Sequence, residues 1–266
     1  MRIGMTSLML ASFSSMGMSQ PPDCTRTAGL EVDADGAPDS YRVDGNGLSY
    51  TCDGVFAIVR GVPQTQNNNP AHWQQLCRDY WTQAKASGNY SGVRIVGFLA
   101  DSHGPVVQSA GDPLPNEAYV TTTSLTIPGT PERTQRHYVD ASQIPYVVLS
   151  PAYARAHGLV LGDLVLVYRP RTERYAFGVY GDCCSLGEAS VRLHQDIGND
   201  PIVVRGGTRR AKRGIGDAVV FVAFPGRHTN PTVDAAAWRD EIRLSGEAAL
   251  AAWGGLERLR TCSARR

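Results

Sequence analysis

The chain has 266 residues, with 26 Lys and Arg against 25 Asp and Glu. This length suits one sizeable domain with its own core, or two small ones. The balanced charge gives no electrostatic drive toward nucleic acid or an anionic membrane surface, so we expect neither as a partner. Beyond the N-terminus, no stretch is long and apolar enough to predict a membrane span.

The first residues have the composition of an export signal. All five methionines lie within the first 18 residues, and Arg2 is followed by a mostly apolar, small-residue run. Gly17-Met18-Ser19 fits a small-x-small cleavage site. We therefore predict a signal peptide over 1–19 and a flexible lead-in over 20–30. Secretion to the extracellular space follows, or to the periplasm if the source is Gram-negative.

The even number of cysteines fits an oxidising compartment. The six are Cys24, Cys52, Cys77, Cys183, Cys184 and Cys262. Their spacing does not fix the pairing, but a bond between the neighbours Cys183 and Cys184 would be strained, so we expect each to pair elsewhere. The chain has no Cys-x-x-Cys and no nearby His pair, so we expect no metal site and no cofactor.

The first half of the chain predicts a turn, a strand and a helix. Asp33-Ala-Asp35-Gly36 is a turn former that can also begin a calcium loop, but the twelve-residue loop ending in Glu is absent. The apolar run Val55–Val59 predicts a buried strand. Over 70–86, aromatic and apolar residues recur at helical spacing, which favours a core face over a sugar-binding stripe.

The second half reads as short strands separated by Gly, Pro or Asp turns. We predict them at 93–99, 120–125, 138–140, 145–149, 163–168, 174–180, 202–204 and 217–224. Most connections are too short for helical crossovers, which indicates an α+β, mainly β fold with a mixed or antiparallel core, barrel-like closure being left open. The run 233–260 predicts a C-terminal helix interrupted at Gly254-Gly255. The domains are then a catalytic region over 31–230 and a helical extension over 231–266.

Two acids follow the apolar run that ends at Gly181. Asp182 comes directly after the predicted strand, and Glu188 opens a segment, 188–197, that we predict as a short helix. A pair of carboxylates in such a position is what glycosidic bond cleavage requires. The alternative is an Asp that closes a turn and a Glu that favours a helix N-terminus.

Six segments, in this order, resemble the fungal-type chitosanases of glycoside hydrolase family 75. They are Val32-Asp-Ala-Asp-Gly-Ala-Pro38, Asp112-Pro-Leu-Pro with Tyr119-Val-Thr-Thr-Thr-Ser-Leu125, Arg136-His-Tyr-Val-Asp140 with Ile144-Pro-Tyr-Val-Val-Leu149, Gly158-Leu-Val-Leu-Gly-Asp163-Leu, the stretch from Tyr175 to Ser190, and Val219-Val-Phe-Val-Ala-Phe224-Pro-Gly226. The resemblance implies an inverting catalytic pair, Asp182 and the Glu188 of Gly-Glu-x-Ser. The loop between the two acids is shorter here than is usual in that family.

The resemblance implies a secreted endo-acting hydrolase of the β-1,4 linkages in chitosan, expected to be monomeric. Glu188 would be the general acid and Asp182 the base, with the roles open to exchange. A polycationic substrate calls for further carboxylates, and the candidates on predicted loops and strand ends are Asp35, Asp101, Asp112, Glu117 and Asp140.

Three alternatives stay open. One is a hydrolase of a peptidoglycan-type amino sugar polymer, which the basic run 205–213 would suit. Another is a non-catalytic carbohydrate-binding protein on the same scaffold. The most remote is an intracellular enzyme that uses Cys183-Cys184 as nucleophile or ligand.

Overall fold

The computed structural model describes residues 23–264. In its first half the strands are β1 Cys24–Thr27, β2 Glu31–Asp33, β3 Val55–Val59, β4 Val62–Pro63, β5 Val93–Ile95, β6 Ala100–Asp101 and β7 Gly104–Pro105. In its second half they are β8 Tyr146–Val148, β9 Asp163–Arg169, β10 Arg174–Asp182, β11 Glu188–Ser190, β12 Ile202–Arg205, β13 Thr208–Ala211 and β14 Val219–His228. The helices are α1 Thr51–Gly54, α2 Trp73–Ser87, α3 Pro151–His157, α4 Val191–Asp196, α5 Ala235–Trp253 and α6 Gly255–Ala264, with a 3₁₀ turn at Gln135–His137.

A seven-stranded sheet forms the centre of the structure. Its strand order is β1-β14-β9-β10-β8-β11-β2, so β1 and β2 are its edges. The pairs β10·β8 and β11·β2 are parallel and the other four are antiparallel. The α+β, mainly β prediction with a mixed core is therefore confirmed, and the sheet is open rather than closed into a barrel.

The two faces of this sheet bury different sets of side chains because successive strand residues point to opposite sides. In β14, Val220 and Val222 face a core that includes Trp238 of α5. The intervening Phe221 faces a second core with Tyr153 of α3 and Leu193 of α4. The central strands are apolar almost throughout because both faces are covered.

The C-terminal helices cover one face as predicted. Trp238, Ile242 and Trp253 of α5 are buried there, and the indole N–H of Trp238 donates to Thr229 Oγ1 at 2.8 Å. The break falls at Gly254, whose φ of +121° ends α5 before α6 begins. Burial of these aromatic side chains makes 231–264 part of the main core.

Helix α2 packs on a smaller sheet with strand order β4-β3-β5. Its buried residues are Cys77, Trp81 and Ala84, and they join a cluster with Tyr41 and Phe98. The helical aromatic stripe is therefore core, as predicted. Trp73, at the first turn of α2, is only half-buried.

Five segments differ from what their local sequence indicates. Part of the expected flexible lead-in, Cys24–Thr27, is strand β1, held against β14 over four paired residues. The segments 120–125 and 138–140 contribute isolated bridges rather than strands. The segment 188–197 begins as strand β11 before turning into α4, and the basic loop 205–213 is largely the hairpin β12–β13. For β1 and β11, pairing with a strand that is distant in the chain overrides local propensity.

Three disulfides join the six cysteines, which confirms the expectation of disulfide bonding. Cys24 pairs with Cys262 and Cys52 with Cys77. Cys183 and Cys184 pair with each other, so the expectation that each bonds elsewhere is wrong. Both lie in the short connection between β10 and β11, and the other four cysteines pair among themselves.

The predicted signal peptide over 1–19 lies outside the described residues. Within residues 23–264, no helix has the length and apolarity needed to cross a membrane.

The disulfides should differ in their effect on stability because each constrains a different length of unfolded chain. The partners are separated by 238 residues for Cys24–Cys262 and by 25 for Cys52–Cys77. Loop entropy predicts that replacing the first pair by Ser lowers the free energy of unfolding by about 5 kcal/mol, and the second by about 3 kcal/mol. Denaturant unfolding measures both. Replacing Cys183 and Cys184 is the control, since that bond closes almost no loop. A reversed order of the three losses would contradict the prediction.

Candidate active site

Asp182 and Glu188 flank the same residue of the central sheet. Asp182, at the end of β10, pairs with Val148 of β8. Glu188, at the start of β11, pairs with Val148 from the other side. Residues directly paired across a sheet project to the same face, so the two acids stand on one face at the same height. Two strand spacings place their Cα atoms about 10 Å apart.

A register irregularity brings Asp182 to that face. Tyr180 pairs with Val147 and Asp182 with the next residue, Val148, so Gly181 is left as an extra residue. Strict alternation would have turned Asp182 toward the opposite face. A Cβ at position 181 would lie 2.7 Å from the Cβ of Tyr146, so the irregularity requires glycine.

The carboxylate of Asp182 is held through one oxygen. Its Oδ1 accepts hydrogen bonds from Ser124 N–H at 3.0 Å, Ser124 Oγ at 2.7 Å and Cys183 N–H at 2.8 Å. Among the described residues, no donor is bonded to Oδ2. Burial raises the pKa of Asp182, these donors act against that increase, and the charge of Glu188 adds to it.

Glu188 is half-buried and is held from the connecting loop. Ser185 Oγ donates to its Oε1 at 2.5 Å. The loop 183–187 therefore supplies a donor to each acid, the Cys183 N–H to one and the Ser185 hydroxyl to the other. Gly187, with a φ of +103°, ends this loop and allows its close return.

Two further carboxyls join this pair, that of Asp33 at the end of β2 and that of Asp35 in the turn after it. β2 runs parallel to β11, with Asp33 opposite Ser190. Burial raises the pKa of Asp33 to about 7, and the charges of Asp182 and Glu188 contribute to the increase. The pKa of Asp35 is also well above its usual value, because of burial and then of the charges of Asp33 and Asp182. Mutual effects of this kind require the four carboxyls to be close.

The buried tyrosine Tyr146 lies under this group. Its hydroxyl donates to the backbone carbonyl of Asp35 at 2.8 Å. The backbone N–H of Asp35 donates in turn to Asp33 Oδ1 at 2.8 Å, which fixes the Asp33 carboxyl. We refer to Asp33, Asp35, Asp182 and Glu188 as the acid cluster.

The sequence pointed to three members of the acid cluster. It gave Asp182 and Glu188 as the pair and Asp35 as a substrate-binding candidate, but it treated Asp33 only as part of a turn. The available signal was the closeness of the two carboxyls in the chain, since only Ala34 separates Asp33 from Asp35. Asp33 lies near Glu188 because β2 pairs with β11, and the local sequence does not reveal that pairing.

Two of the other substrate-binding candidates are exposed and ion-paired. Asp101 binds Arg133 at 2.7 Å. Glu117 binds Arg42 at 2.8 Å. Neither is among the charges that act on the acid cluster.

The remaining two candidates are at least partly buried but face other groups. Asp112 is buried, and it accepts from the backbone N–H of Gln135 at 2.7 Å and of Ser109 at 2.9 Å, which is a structural role. Burial raises the pKa of Asp140 to about 6. Asp140 lines a separate cavity of about 190 Å³ with Tyr138 and Gln143. Of the five candidates, the structure brings only Asp35 to the acid cluster.

Across residues 23–264, no group of three or more His, Cys, Asp or Glu residues has the arrangement of a metal site.

A comparison with models of known protein families finds no match to this chain. A comparison with curated protein sequences finds none either.

The raised pKa of Asp33 should make the protein less stable as the pH rises. The folded chain holds a proton on Asp33 up to about pH 7, whereas an unfolded chain releases it near pH 4. The stability contributed by this proton is full below about pH 4 and is lost as the pH rises toward 7. Asp33→Asn has no carboxyl to ionise at this position, so it removes this pH-dependent loss of stability.

We expect Asp33→Asn to reduce the fall in unfolding free energy between about pH 5 and pH 8 by about 1 kcal/mol or more. Denaturant titrations at the two pH values measure the fall. Asp79→Asn, on the exposed side of α2, is the matched control and should keep the wild-type slope. An unchanged slope in Asp33→Asn would contradict the assignment.

Proposed function

We propose that the chain is an inverting glycoside hydrolase that cleaves β-1,4 linkages in an amino sugar polymer, with chitosan as the favoured substrate. The observation that carries the proposal is the placement of Asp182 and Glu188 on either side of Val148, on one face of the sheet. Two strand spacings leave room for a water molecule between the carboxyls, which the inverting mechanism requires.

Glu188 is proposed as the general acid and Asp182 as the general base. Glu188 transfers its proton to the glycosidic oxygen as the bond from that oxygen to the anomeric carbon breaks. Asp182 takes a proton from water as the water oxygen forms a bond to the opposite face of that carbon. The three donors on Oδ1 of Asp182 orient its carboxylate for this task.

The acid cluster also supports a cationic substrate. Asp33 and Asp35 place two more carboxyls beside the proposed pair, and burial together with mutual repulsion raises their pKa values. A bound ammonium group would relieve that repulsion, because an opposite charge favours the ionised carboxylate. Chitosan carries such ammonium groups along its chain, and the resemblance to family 75 chitosanases agrees with this choice.

We further propose that the protein acts outside the cytoplasm. The three disulfides support this, because such bonds persist in oxidising compartments. The signal-like composition of residues 1–19 points the same way.

A second candidate substrate is a peptidoglycan-type polymer, whose amino sugars are N-acetylated and whose peptides carry acidic groups. It is favoured by the hairpin β12–β13 and the residues after it, which present Arg209, Lys212 and Arg213 at the surface. Loss of turbidity from purified cell walls, measured beside chitosan hydrolysis, distinguishes the two substrates.

Substituting either proposed catalytic acid should nearly abolish chitosan hydrolysis. We expect Glu188→Gln and Asp182→Asn each to lower kcat about 10²- to 10⁴-fold, because each removes one proton transfer. Release of reducing ends measures the rate. Glu117→Gln, which loses an exposed ion pair to Arg42, is the matched control and should retain wild-type activity.

Wild-type rates in Glu188→Gln or Asp182→Asn would show that the named acid is not catalytic. Binding of insoluble chitosan by the wild type, with no soluble product, would instead favour the non-catalytic carbohydrate-binding alternative.

The two roles can be separated by their chemistry. An aryl glycoside with an acidic phenol as leaving group needs no proton, so we expect Glu188→Gln to recover most of its lost rate on a nitrophenyl chito-oligosaccharide. Azide needs no base, so it should rescue Asp182→Ala and yield a glycosyl azide of inverted configuration. If the aryl glycoside rescues the Asp182 variant and azide rescues the Glu188 variant, the two roles are exchanged. A product of retained configuration would exclude inversion.

A further inference from the structure

A surface cavity of about 590 Å³ lies where three segments meet. One wall is the loop 45–50 with α1, the second is the first turn of α2 with Gln66, and the third is the end of β13. The disulfide Cys52–Cys77 ties α1 to α2. Two of the three walls of the cavity are therefore covalently linked.

Arg210 attaches the third wall. Its guanidinium donates to three backbone carbonyls, those of Gly45 at 2.9 Å, Gly47 at 2.6 Å and Ser49 at 2.9 Å. The same guanidinium lies 4.3 Å from the centre of the Tyr50 ring. These contacts hold the hairpin against the loop and keep Tyr50 in place at the cavity.

The lining combines aromatic rings with amide side chains. Trp73 and Tyr50 line the cavity and are both partly exposed, and Gln66 and Gln74 stand beside them with exposed amides. Flat rings pack against the C–H faces of pyranose sugars, and amides bond their hydroxyls. Residues of this kind in one concave site suit a saccharide.

The charge of the lining is opposite to that of the acid cluster. Its ionisable side chains are Arg78, Lys212 and Asp53. Asp53 Oδ2 already accepts from the backbone N–H of Tyr50 at 3.1 Å, within the first turn of α1. Lys212 Nζ lies 4.9 Å from the centre of the Tyr50 ring, so a cation stands beside the aromatic surface.

We infer that this cavity is a second saccharide-binding site, specific for sugars that bear carboxylate groups. The rings and amides contact the sugar, while Lys212 and Arg78 bind its carboxylates through charge-assisted hydrogen bonds. Its lining shares no residue with the acid cluster, and saccharide binding there does not depend on the proposed hydrolytic function.

The probe is the trimer of galacturonic acid, whose binding is measured by calorimetry at about 50 mM and 500 mM NaCl. We expect saturable binding that weakens at the higher salt. The neutral trimer of N-acetylglucosamine and the cationic trimer of glucosamine should bind at this site about tenfold more weakly or not at all. Sodium sulfate, a non-sugar anion, should not displace the probe when it is added at the same concentration of negative charge.

Variants locate the binding. Lys212→Gln and Arg78→Gln should each weaken binding of the acidic trimer about tenfold, and Trp73→Ala by a similar factor. Trp73→Phe keeps a ring and should retain most of the affinity, which separates stacking from a folding defect. Arg243→Gln, which removes an exposed cation from α5 outside the cavity, is the matched control.

Glu188→Gln should bind the trimer with wild-type affinity, so the result is independent of hydrolysis. Absence of binding, equal affinity for the neutral trimer, or displacement by sulfate would each overturn the inference. So would wild-type affinity in all three cavity variants.

Discussion

The single extra residue at Gly181 is the constraint on which the acid cluster depends. It lets β10 pair with β8 through Asp182 instead of Gly181, which turns the aspartate to the face where Glu188 stands. The Tyr146 side chain occupies the space that a Cβ at position 181 would need. The same tyrosine supports the backbone of Asp35 through its hydroxyl. One buried aromatic residue thus sets the geometry of both halves of the cluster.

Holding four carboxyls together inside a fold costs electrostatic free energy, and interactions elsewhere in the structure offset that cost. Burial and mutual repulsion raise the pKa values of Asp33, Asp35 and Asp182, that of Asp33 to about 7. The two-faced sheet core and the long-range Cys24–Cys262 bond supply stability elsewhere. Strained or repulsive groups maintained in this way are characteristic of functional sites.

The molecule also separates its charges although its net charge is close to zero. Carboxyls gather at the ends of β2, β10 and β11, and cations gather at the end of β13 and the first turns of α2. Two regions of opposite sign suit ligands of opposite charge. An acidic cluster fits ammonium-bearing sugars, and the cavity with Lys212 and Arg78 fits carboxylates. The overall composition, with nearly equal numbers of acidic and basic residues, does not show that these charges are separated in space.

The sequence by itself determined the fold class, the helical C-terminus with its break at Gly254, and the candidates Asp182, Glu188 and Asp35. These rest on local signals: strand composition, helical periodicity and turn residues. Only the tertiary structure added Asp33 to the cluster, placed Glu188 on a strand, paired Cys183 with Cys184 and removed Asp101, Asp112, Glu117 and Asp140 from the site. The reason is physical. Which residues meet across a sheet depends on register between segments that are distant in the chain, and a one-residue shift in register reverses the face on which each side chain stands.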